Sequence, residues 1–160
     1  MRQNSPILLR RSFLALLSAL LVVPLFPAGA QGLVTFKKSQ LSIKTAKGRF
    51  NFNIELAVSS QQQSQGLMYR RSLAADAGML FDYRIPQRIS MWMKNTFIPL
   101  DMIFIGQDGT VINIAERTIP QSEVVISSKS RARAVLEVNG GTASRLGIMP
   151  GDQVLHSIFK

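Results

Sequence analysis

The chain has 160 residues, no cysteine, one histidine and a formal charge of +10. That length fits one domain plus a leader, and the missing thiols exclude disulfides, thiol catalysis, iron–sulfur clusters and thiolate zinc sites. The basic residues are scattered, with only KK, RR and KSRAR as clusters and no aromatic interleaving. They read as a solvated face and not as a nucleic-acid track.

Residues 1–30 have the pattern of a signal peptide. Arg2, Arg10 and Arg11 precede the apolar run FLALLSALLVVPLF, and AGA supplies the small residues before an expected cleavage at Gln31. RRSFLA also resembles a twin-arginine export signal, although the strongly apolar run suits the general secretory route better. The expected product is a periplasmic or secreted domain, residues 31–160, of charge about +7, with no membrane span after cleavage.

Along that domain, LVTFKK and LSIKTAKG read as short strands. RFNFNIELAVSS alternates Phe50, Phe52, Ile54, Leu56 and Val58 with polar or small residues, the period of a half-buried strand. Ser59 or Ser60 caps a short helix that Gly66 ends. AGMLFDY is extended, and RISMWMK alternates so that Ile89, Met91 and Met93 share one face while Ser90, Trp92 and Lys94 share the other. LDMIFI and VINIAER form a hairpin about an Asp-Gly turn. EVVIS, ARAVLEVNG and QVLHSIF add strands, and GTASRLG makes one helical turn. The expected fold is mainly β: a compact antiparallel sandwich or distorted barrel of about eight short strands with one or two short helices.

The only histidine, His156, has no evident partner for a catalytic triad, and no glycine pattern or calcium loop is present. Met68, Met79, Met91, Met93 and Met102 offer thioethers that favour Cu(I), and Trp92 is a potential cation–π cap. Alternation sets Trp92 opposite Met91 and Met93, and methionine is a common core filler, so no metal ligands and no cofactor are assigned. Two carboxylates sit in apolar strands, Asp101 in PLDMIF and Glu137 in VLEV. A buried charge requires a partner, and Arg70, Lys94 and the backbone of the Asn95-Thr96 loop are the natural ones. The candidate polar site is therefore Arg70, Trp92, Lys94, Asn95, Thr96, Asp101 and Glu137. It is expected to bind a small polar ligand, a glycan or an envelope protein partner. Two further readings are a hydrolase or lyase using Asp101 and Glu137 as acid and base, and a methionine-rich Cu(I)-binding protein.

GLMYR, GMLF, WMKNTFIPLDMIF and VLEVNGGTASRLGIMPGD follow in an order that resembles domain-of-unknown-function family 192. The family's recurring positions fall on Gly66, Leu67, Met68, Arg70, Gly78, Met79 and Phe81. They continue on Trp92 to Thr96, Pro99 to Asp101, Leu136, Glu137 and Gly141. The resemblance implies a compact, often exported β-rich domain whose biochemical role is not established.

Overall fold

The computed structural model describes residues 34–160. The expected signal peptide, residues 1–30, lies outside the described residues. The described chain is mainly β, with nine strands, two short helices and a final 3-10 turn. Strands β1 (Lys37–Thr45) and β2 (Gly48–Ala57) form a hairpin. One continuous β1 replaces the two short strands expected there, and Gly48 at φ 135° makes the turn. In β2 Phe52 and Ile54 are buried and Asn51 and Asn53 exposed, but the alternation ends there: Leu56 is half-buried, Ala57 buried and Val58 exposed.

Helix α1 (Ser60–Gln65) begins with a reciprocal capping box. The Ser59 hydroxyl accepts from the Gln62 amide at 3.2 Å, and the Gln62 side chain accepts from the Ser59 amide at 3.0 Å. Gly66 ends the helix at φ 48°, and a Cβ there would lie 3.0 Å from the Phe81 ring. The chain then crosses over to β3 (Ala77–Gln87), which pairs parallel to β2 with Asn53 opposite Ala77. This parallel pair departs from the expected all-antiparallel sheet. It exists because α1 and the segment after it form a crossover longer than any hairpin turn.

Strand β4 (Ser90–Met91) is followed by the β5 (Leu100–Ile105) and β6 (Val111–Ala115) hairpin. After them come β7 (Ile126–Ser127), β8 (Ala132–Asn139), α2 (Thr142–Leu146) and β9 (Gln153–Leu155). The expected strands RISMWMK, EVVIS and QVLHSIF are thus only two or three residues long. Seven strands form one sheet in the order β6-β5-β8-β3-β2-β1-β9, while β4 and β7 pair separately. The sheet curls into a half-barrel, and its edges meet where Thr110 bridges Gln153. The inner face carries Ile43, Phe52, Ile54, Leu80, Ile103, Leu136 and Val154. A second core on the outer face of β3, β8 and β5 contains Met79, Phe81, Met102, Phe104 and Val135, covered by Leu67, Ile89 and Met93. The candidate site is set into this second core.

Candidate functional site

Strand alternation separates the two carboxylates. Asp101 on β5 is opposite Val138, whereas Glu137 on β8 is opposite Met102. They project to opposite faces of the sheet, so the acid–base pair expected of a hydrolase or lyase is not assembled. Asp101 is fully buried, and its carboxylate is filled by backbone donors. Oδ1 accepts from the Arg117 and Gly141 amides at 2.7 and 2.8 Å, and Oδ2 from the Ala143 amide at 2.8 Å. Neither Arg70 nor Lys94 is its partner, contrary to the sequence expectation. Asp101 ties the end of β6 and the start of α2 to β5, where charge-assisted bonds replace hydration of the carboxylate.

Glu137 has the opposite environment. It lies in the middle strand of β3-β8-β5, flanked across the sheet by the fully buried Met79 and Met102. It is 4% exposed, and burial alone pushes its carboxyl up to about 8. No hydrogen bond from a described residue offsets that burial. The carboxylate lines a small pocket of about 90 Å³ with Met68, Phe81, Tyr83, Met91, Trp92 and Thr96. Tyr83 on β3 is pushed up to about 12 by burial and by the negative charge of Glu137. Its hydroxyl donates to the Met91 thioether at 3.4 Å.

Two loops wall this pocket and hold each other in place. The Asn95 carbonyl accepts from the Tyr69 amide at 2.8 Å, and the Asn95 side-chain amide donates to the Tyr69 hydroxyl at 3.0 Å. Both residues are left-handed, at φ 54° and 65°. Asparagine tolerates that conformation, whereas a tyrosine there needs the surrounding bonds to hold it. Thr96 is buried, and its amide donates to the Met93 carbonyl at 3.0 Å.

The structure therefore brings Trp92, Thr96 and Glu137 into one pocket, with Lys94 and Asn95 at its border. The Lys94 ammonium lies 5.3 Å from the Trp92 ring centroid and 3.5 Å from a Glu123 oxygen. Arg70 points elsewhere: its guanidinium pairs with Glu55 and lies over Phe36. The strand argument that separated Trp92 from Met91 fails because β4 stops at Met91, and both side chains line the pocket. Met93 is fully buried away from it and accepts from Thr118 at 3.1 Å. Sequence reasoning missed Tyr83 and Phe81 as site residues, and offered Met68 only as one of five thioethers for Cu(I). Their signal was present in part, since Phe81 and Tyr83 alternate in AGMLFDY on the face that Met79 also occupies.

Residues 42–156 match the model of the family DUF192, described as an uncharacterised ACR. The chain belongs to this family. Two solved structures share the DUF192 chain's fold at high identity. A Sinorhizobium meliloti 1021 protein, provisionally described as a transcription regulator, is 46% identical with a TM-score of 0.77, over 79% of this chain and 99% of its own. A protein of unknown function from Novosphingobium aromaticivorans DSM 12444 is 41% identical with a TM-score of 0.75, over 78% of this chain and 89% of its own. No curated protein matches this DUF192 chain.

Proposed function

We propose that this protein is a small-ligand binding module of the cell envelope, with the pocket at Glu137 as its binding site. One observation carries the reading. A buried carboxylate without a partner weakens the folded state, and groups kept in that condition beside a cavity are typical of binding sites. Glu137 is a carboxyl only 4% exposed that faces this cavity and has no hydrogen-bond partner among the described residues, and half-exposed Trp92 gives the pocket an aromatic wall open to solvent. Export is inferred from the basic, apolar and small-residue order of residues 1–30. Among the described residues no helix is long and apolar enough to cross a membrane.

The hydrolase or lyase reading loses its second carboxylate, because Asp101 is consumed by three backbone amides. The description of the Sinorhizobium neighbour is not carried over either. Helices α1 and α2 have six and five residues, too short to serve as a recognition helix in a major groove.

The test compares thermal midpoints of the purified protein and Glu137→Gln across envelope glycans, short peptides and small cations. The expected result is a ligand that raises the wild-type midpoint and leaves the variant unmoved. If nothing raises the wild-type midpoint, the pocket is not a binding site. Cell fractionation with intact-mass measurement tests export, and the full-length mass in the cytosol would overturn it.

A further inference from the structure

We propose that the ligand of this pocket is a soft monovalent metal ion, Cu(I), held by the thioethers of Met68 and Met91 and the carboxylate of Glu137. This inference rests on the binding reading above and names its ligand. Met68, Met91, Trp92 and Glu137 line one pocket although they come from three separate segments of the chain. Met79 and Met102 flank Glu137 on the adjacent strands but do not line the pocket, so Met68 and Met91 are its thioethers.

The donor set selects the ion. Thioethers are soft, neutral ligands that favour Cu(I), whereas calcium and magnesium require a cage of oxygens. Zinc is served no better, since no three His, Cys, Asp or Glu side chains converge among the described residues. Two thioethers and one carboxylate around a +1 ion give a neutral assembly, which a site shielded from water tolerates far better than an isolated carboxylate.

Among the described residues, the two cations expected to pair with a buried carboxylate are engaged elsewhere. Arg70 is paired with Glu55, and Lys94 with Glu123. The sulfurs are also oriented. The Tyr83 hydroxyl engages one lone pair of Met91, and the Asn95 amide approaches Met68 at 3.9 Å, leaving each thioether a second lone pair. Trp92 already accepts the Lys94 ammonium at 5.3 Å, so its ring is placed to face positive charge.

Trp92 is the only tryptophan in the chain, so its fluorescence reports on this pocket alone. The experiment titrates the full chain with Ag(I), and with Cu(I) under reductant, following that emission. The variants are Met68→Leu/Met91→Leu, which keeps apolar volume and removes sulfur, and Glu137→Gln. Met149→Leu is the control, because Met149 is exposed and outside the pocket. Thermal melts confirm that each variant folds. The expected result is a saturable one-to-one change in wild type and Met149→Leu that is about tenfold or more weaker in the pocket variants.

A flat Ag(I) titration overturns the proposal, as does one unchanged in the double methionine variant. If tetramethylammonium or a glycan binds in a Glu137-dependent way while Ag(I) does not, the copper assignment fails and the binding reading stands. If no probe binds in any arm, both fail.

Discussion

Replacing Glu137 by Gln should stabilise the protein at alkaline pH and leave it nearly unchanged at acid pH. The side-chain shape is kept, but the amide cannot ionise. In the folded protein burial holds the carboxyl proton up to about 8, against an ordinary value of 4.5. Between these values the folded chain keeps a proton that the unfolded chain has released, so rising pH favours unfolding. Stability present below pH 4.5 is lost as pH climbs and levels off above about 8. Roughly 3.5 pH units at ~1.4 kcal/mol each set a ceiling of about 5 kcal/mol on this loss. His156 acts in the opposite sense: burial lowers its pKa, so its contribution is lost on acidification. It is present in both proteins and cancels in their difference. Urea unfolding followed by circular dichroism, from about pH 5 to pH 9, measures that difference. It should grow from near zero to several kcal/mol in favour of Glu137→Gln. Parallel pH profiles for the two proteins would refute the account of an unpaired buried carboxylate.

Asp101→Ala leaves the Arg117, Gly141 and Ala143 amides without their acceptor and should cost about 3–5 kcal/mol. A urea midpoint close to wild type would reject the anchoring role. Gly78→Ala places a Cβ 2.7 Å from the Glu137 carbonyl oxygen on the neighbouring strand, and a loss of about 1–3 kcal/mol is expected in the same assay. Arg70→Met breaks the half-buried pair with Glu55 and the contact with the Phe36 ring, and should cost about 1 kcal/mol. Its effect should add to that of Glu137→Gln within a few tenths of a kcal/mol, since the two groups share no partner. A large coupling in the double variant would show that Arg70 does act on the pocket.

The parts of this fold that were legible in the sequence are those governed by local pattern. Phe52 and Ile54 alternate as written, Ser59 and Gly66 bound their helix, and Asp108-Gly109 closes the β5–β6 hairpin. Glu137 was legible because a carboxylate between Leu136 and Val138 on a central strand has few alternatives to burial. Asp101 was legible as buried and paired, but its partners were not, because backbone amides carry no sequence identity and any residue except proline at 117 and 143 supplies the same donor. Met91 and Trp92 were misplaced because alternation holds only while a strand continues, and β4 has two residues. Tyr83 and Met68 meet only after the β2–β3 crossover, a long-range event that periodicity does not encode.

Strand β4 pairs with β7 and with no strand of the main sheet. The strand and the loop after it hang on the segment after β6, through Met93 amide to Ser122 carbonyl, Gln121 amide to Thr96 carbonyl and the β4–β7 pair. The segment that carries Trp92, Met91 and Thr96 is therefore hydrogen-bonded to residues 118–128 and not to β8, which carries Glu137. In amide hydrogen exchange the Met93, Gln121 and Ser128 protons should open together, earlier than those of β3, β5 and β8.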